Sequence, residues 1–241
     1  MYNLLISMLF WAAVAIPLDR FTTLSPWIPP LIGMGAFALV YFLLTRWVMK
    51  KVGQLAETAQ RDLQAGRAEK AVKTLESGLK YGPWQFYVKP QLNAQIGTVY
   101  YLKKDFGKAF DYLQKAFVRH WVAMGMLAIC YMKRNKVDKM TLTFDKAVSA
   151  NRKEPFLWNL YAYCLDYVGQ TSKAKEILAK GLKKAGADER LQASLDALDA
   201  GKKMKMSAYG DLWYQFHLEK AGTLIKQQTK MAQGRRKIVR R

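Results

Sequence analysis

Residues 90–120, PQLNAQIGTVYYLKKDFGKAFDYLQKAFVRH, decide the fold. Apolar residues recur at helical spacing on both sides of one break, Lys104-Asp105, and the second half carries the pair Ala109/Leu113 one turn apart. The pattern is a helix, a tight turn and a second helix. It recurs outward along the chain. Breaks at Gly66, Asn135-Lys136 and Gly169-Gln170 are each followed by a similar pair: Ala71/Leu75, Met140/Phe144 and Ala174/Leu178. Strand signals are absent. Helix pairs at a near-fixed period predict an all-α solenoid, in which each unit buries its apolar face on the next.

Within 90–120, Ile96-Gly97, Tyr100, Ala109, Leu113 and Ala116 occupy the signature places of a helix-turn-helix repeat. The unit at 121–154 offers Leu127-Ala128, Tyr131, Phe144 and Ala147, with Met140 in place of the usual Ala. The unit at 155–188 offers Trp158, Ala162, Ala174 and Leu178, and departs at Tyr161 and Leu165. The first unit keeps Ala71, Leu75 and Pro83, while its first helix is degenerate. On these residues the chain resembles the tetratricopeptide repeat family, whose unit is 34 residues long. Unit starts at 52, 90, 121 and 155 are spaced by 38, 31 and 34. The resemblance covers roughly 52–188, and residues 187–200 read as a polar cap helix. It implies an interaction scaffold, a class with many unrelated partners.

The resemblance also implies a site. The family's concave positions fall on Tyr101, Leu102, Ile129, Met132, Phe156, Tyr163, Asp166 and Tyr167, which would make an apolar, aromatic groove for a protein or peptide. The family's carboxylate clamp is not matched, because Ala94, Thr98 and Gly125 stand at its key places. The competing reading is that these side chains pack on neighbouring helices or on the chain's own C-terminus.

Residues 1–49 differ from the rest. They hold only three charged side chains, Asp19, Arg20 and Arg46. A spanning helix needs about 20 apolar residues. The expectation is a transmembrane hairpin of helices 2–18 and 27–49, with the bend at 19–30 where Pro26, Pro29 and Pro30 lie. A secretory signal is the rival, but no basic residue precedes the apolar run and Ile16-Pro17-Leu18 makes a poor cleavage site. Arg46, Lys50 and Lys51 follow the second helix, so both ends are expected in the cytoplasm, the membrane being a bacterial inner membrane. The stretch 31–64 reads either as one rod or as two helices bent at Gly53. The domain division that follows is 1–49 hairpin, 50–200 solenoid of about four repeats with its cap, and 201–241 amphipathic segment with a basic tail.

Of the 241 residues 51% are apolar, which excludes wholesale disorder, and 39 Lys+Arg against 18 Asp+Glu leave a net charge of +21. Cys130 and Cys164 both stand at the tenth position of their repeats, and no Cys or His lies at metal-ligand spacing from either; packing is their reading. His120 and His217 have no nucleophile pattern near them, and no nucleotide, metalloprotease or hydrolase motif is present. No catalytic, metal or cofactor site is expected. Position nineteen of every repeat is lysine (Lys70, Lys108, Lys139 and Lys173), and the tail adds Arg235, Arg236, Lys237, Arg240 and Arg241. These read as a solvated face or as a surface for anionic lipid, with nucleic acid as the rival partner. The segment 207–230, with Tyr209, Leu212, Trp213, Phe216, Leu218 and Leu224, is too apolar for a free tail and is expected to dock on the solenoid ahead of the membrane or a partner. The function this composes is a membrane-anchored repeat scaffold that binds a protein or peptide. The alternative is a membrane-tethered nucleic-acid-binding protein.

Overall fold

The computed structural model describes residues 1–23 and 25–219, and the described residues form helices and no strand. The chain divides into two compact units, residues 1–124 and 125–241.

The first unit opens with α1 (Tyr2–Phe21) and α2 (Ile28–Gln64), packed on each other. Both are long and apolar enough to cross a membrane, and only 11% of each apolar window is buried. Leu9, Ile16, Leu31, Met34, Leu39 and Phe42 are all more than half exposed. The two helices approach closely at Gly33, where an added Cβ would lie 2.9 Å from the Trp11 ring and 3.0 Å from the Ala15 methyl. Both run longer than the expected 2–18 and 27–49. Pro17 lies inside α1, and Pro29 and Pro30 stand in the first turn of α2, where a missing N–H has no helical acceptor to lose. The connection is therefore shortened to residues 22–27.

Gly53 does not bend α2. The helix is continuous for 37 residues, about 55 Å at 1.5 Å per residue, and crosses the expected 49/50 domain boundary without a break. Its second half carries Val48, Val52 and Ala59 into a core with Ala71, Val72 and Leu75 of α3 (Ala68–Ser77) and Val88, Leu92, Ile96 and Val99 of α4 (Val88–Leu102). Helix α5 (Phe106–Leu113) lies against α4 across Gly97, where an added Cβ would meet Leu113 at 2.8 Å.

The division between units falls inside α6 (Trp121–Lys133). The second unit continues with α7 (Val137–Ala150), α8 (Pro155–Tyr167), α9 (Thr171–Ala185) and α10 (Glu189–Asp199), in which α7 packs on α8, α8 on α9, and α10 on both α8 and α9.

One turn recurs four times. Gly66, Lys104, Asn135 and Gly169 each take a left-handed φ, of 75°, 64°, 56° and 83°. At each, the following N–H donates to the carbonyl five residues back: Arg67 to Asp62, Asp105 to Tyr100, Lys136 to Tyr131 and Gln170 to Leu165, at 2.8 to 3.0 Å. The left-handed residue donates three residues back as well, which completes a Schellman motif and satisfies the carbonyls that a helix end leaves orphaned. These turns are spaced by 38, 31 and 34 residues, and each separates a longer helix from its partner.

Candidate functional site

The open concavity of the first unit is a cleft of about 250 Å³ between α2 and α4. Ala56, Ala59, Gln60 and Leu63 form the α2 wall; Gln95, Thr98, Val99 and Leu102 form the α4 wall; Leu75 and His120 complete it. The two walls rise from the shared core, so the packing of α2, α3 and α4 sets the width of the cleft. No charged side chain lines it. The Thr98 hydroxyl donates to the Ala94 carbonyl of its own helix at 2.8 Å, which leaves the amides of Gln60 and Gln95 and the imidazole of His120 as its polar groups. Such a lining accepts an apolar segment and reads its backbone or amides, and it has nothing to hold a carboxylate or phosphate.

His120 has a structural duty at the rim. Its Nδ1 accepts the N–H of Ala123 at 3.2 Å and so caps the first turn of α6. With Nδ1 as acceptor, the neutral ring carries its proton on Nε2. Burial holds its pKa below the ordinary 6.5 against a backbone hydrogen bond that acts the other way.

The eight residues expected in an aromatic groove do not share one open surface. Tyr101 is fully buried, with its ring 5.1 Å from Phe106. Ile129, Met132 and Phe156 are buried as well. Asp166 accepts a hydrogen bond from the Thr171 hydroxyl at 2.7 Å and so belongs to the turn into α9. Tyr163 is half-buried against Trp213, at 4.7 Å between ring centres. Leu102 and Tyr167 remain exposed, and of the eight only Leu102 lines the cleft.

The chain itself covers α8. Phe156 packs edge-on against Tyr209 at 4.8 Å and lies 5.4 Å from Phe216. The Asn159 amide donates to the Tyr209 hydroxyl at 2.6 Å, and the Trp213 indole donates to Glu219 at 2.8 Å. Trp213 and Phe216 are fully buried. Gly125 belongs to the same contact: an added Cβ would lie 2.9 Å from Leu160 and 3.2 Å from Phe216. The expected amphipathic helix over 207–230 is, in its described part, a short 3-10 turn at Met206–Tyr209 and a single α turn at Asp211–Tyr214. Leu224 and the basic residues Arg235, Arg236, Lys237, Arg240 and Arg241 lie outside the described residues.

Lys70, Lys108, Lys139 and Lys173 are exposed. Lys70 lies 3.6 Å from Asp62, Lys108 lies 3.6 Å from Asp105 and over the Tyr100 ring, and Lys139 lies over the Tyr131 ring. Cys130 and Cys164 are buried free thiols, and burial pushes both pKa values up, that of Cys130 to about 11. Neither is poised as a thiolate nucleophile. Among the described residues no cluster of His, Cys, Asp and Glu has the makings of a metal site.

The α2 wall was not foreseen. Its signal is present as Ala56, Ala59, Gln60 and Leu63 at helical spacing, but the first repeat helix carries few signature residues. No protein-family model matches the chain, and no curated protein matches it either.

Proposed function

We propose that the protein is a membrane-anchored helical-repeat scaffold that captures an apolar peptide segment of a protein partner at the cytoplasmic face. The observation that carries this reading is α2. One unbroken helix supplies the second apolar span and, 9 to 16 residues beyond Trp47, the wall of the cleft. That places the cleft about 14–24 Å from the end of the span along the helix axis. Exposure of the hairpin supports insertion, since a core helix of a soluble protein would be covered by its own chain. The four equal turns, together with Gly97 packed on Leu113, support a tetratricopeptide-like solenoid as the frame. The uncharged lining favours a hydrophobic peptide over a nucleic acid at this site.

The test places a photo-crosslinking residue at Leu102 in the full chain, in native membranes. A discrete adduct is expected, and it should disappear when Gln60→Trp and Thr98→Trp fill the cleft while helix content is kept. An adduct that survives the filled cleft overturns the reading. One that is removed by nuclease and lost steeply with salt establishes the nucleic-acid alternative.

A further inference from the structure

Six aromatic residues gather where the hairpin meets the helical unit. Tyr2 stands edge-on to Trp84 at 5.6 Å, and Trp47 lies 5.7 Å from Trp84 and 6.2 Å from Tyr81. Phe86 and Tyr87 extend the group, 5.2 Å apart, and are 65% and 51% exposed. The loop carrying them, residues 82–87, is tied to the first turn of α1. The Tyr2 N–H donates to the Pro83 carbonyl at 3.0 Å and the Asn3 N–H to the Trp84 carbonyl at 3.4 Å. Two helix-end donors that lack an intrahelical acceptor are thereby satisfied by this loop.

These bonds fix the height of the loop. Helix α1 is 20 residues long, about 30 Å, which is the thickness of the hydrocarbon core with nothing to spare. If α1 spans, its first turn sits at the boundary between hydrocarbon and headgroups, and the loop bonded to it sits there too. Tyrosine and tryptophan are the residues that favour this layer. Charge agrees with the placement. Arg46, Lys50 and Lys51 lie within about one turn of Trp47, Lys80 lies over the Tyr81 ring, and Lys89 follows the loop; all five are exposed. No acidic residue occurs between Asp19 and Glu57, nor between Glu76 and Asp105. An aromatic loop ringed by uncompensated cations fits an acidic phospholipid surface.

We propose that residues 82–87 form a second membrane contact, with Phe86 and Tyr87 set among the headgroups and Arg46, Lys50, Lys51, Lys80 and Lys89 holding acidic lipid around them. The contact rests on the reading of α1 and α2 as spanning helices. It gives the first unit a fixed face toward the bilayer, a constraint that the hairpin alone would leave to one helix.

The experiment uses nitroxide labels on single cysteines at positions 9, 57 and 86 of the full chain, in vesicles of phosphatidylcholine with or without phosphatidylglycerol. Cys130 and Cys164, buried and protonated, stay unlabelled in the folded protein. Collision with oxygen and with a polar nickel chelate reads depth. Position 9 is expected deep in lipid, position 57 in water and position 86 between them, deeper in acidic vesicles than in neutral ones. Lys80→Gln with Lys89→Gln should abolish that difference. If position 9 is not in lipid, the spanning reading falls and the contact falls with it. If position 9 is in lipid and position 86 meets the chelate as freely as position 57, the contact alone is overturned. Shielding of position 86 from both reagents would assign the loop to a protein surface and overturn it equally. A lipid dependence that survives the lysine substitutions overturns the role given to those charges.

Discussion

Lys104 and Asn135 hold the left-handed conformation that Gly66 and Gly169 adopt at the equivalent turns. A side chain there brings Cβ against the following carbonyl, which costs about 1 kcal/mol, more for lysine than for asparagine. Lys104→Gly is therefore expected to raise the unfolding free energy by about 0.5–1 kcal/mol, and Gly66→Ala to lower it by a similar amount, both measured by denaturant unfolding in detergent. A Lys104→Gly protein that is less stable than the parent would show that the lysine contributes a contact outweighing its strain. His120 gives the second residue prediction. Burial lowers its folded pKa below 6.5, so between the folded and unfolded values the unfolded chain binds more protons and stability rises with pH. Its contribution is complete above the unfolded pKa and is lost as pH falls through 6.5 toward the folded value, where protonation also removes the acceptor for Ala123. His120→Asn keeps a capping acceptor without the titration. The stability difference between parent and variant should shift against the parent from pH 7 to pH 5, and a difference that does not change with pH overturns the assignment.

Among the elements, α2 joins two jobs, and Gly53 is its weakest residue. An added Cβ at Gly53 meets nothing within 4 Å, so Gly53→Ala removes a flexible residue at no steric cost. It is expected to stabilise the helix by about 0.5–1 kcal/mol, to raise the thermal midpoint and to leave the crosslink at Leu102 intact. Gly53→Pro removes the N–H and clashes with the preceding turn, at a cost of about 3 kcal/mol, and should lose the crosslink while the protein stays in the membrane. Loss of the crosslink in Gly53→Ala would mean that the site works by bending at Gly53. The sequence announces some elements and hides others for definite reasons. The turns are readable because Gly66, Asn135 and Gly169 favour a left-handed φ, and because Asp105 follows Lys104 and caps α5 through the Lys108 N–H. The spans are readable from missing charge. The groove is not readable, because periodicity locates an apolar face without saying what covers it. Tyr101, Ile129 and Met132 are apolar positions of helices buried on more than one side. Phe156 and Tyr163 are covered by Tyr209, Trp213 and Phe216, some 50 residues away in the chain. The cleft escapes for a related reason: its walls come from two helices of different repeats, and neither wall is distinctive alone.

At the scale of the whole molecule, charge decides orientation. A chain with a net charge of +21 has cations to spare, but only those in short flanking segments near the spans choose the side. The connection 22–27 carries none, and its nearest is Arg20 in the last turn of α1. Arg46, Lys50 and Lys51 cluster beyond the second span. Because α1 and α2 pair as a hairpin, the N-terminal end of α1 lies beside Trp47, so one side receives both termini of the hairpin and nearly all of its positive charge. The expected topology puts both on the cytoplasmic side and the connection outside. A cysteine at Thr23 should react with a membrane-impermeant maleimide in intact cells, whereas one at Glu57 should react only after permeabilisation. Reaction at 57 in intact cells overturns this orientation. The cause can be separated from the outcome by moving the charge. Arg46→Gln, Lys50→Gln and Lys51→Gln together with Thr22→Lys and Thr23→Lys reverse the bias without touching the buried face of either helix. Labelling should then move from position 25 to position 57 in at least part of the population. If the orientation stays fixed after that exchange, folding of the large helical unit on one side, and not the flanking cations, sets the topology.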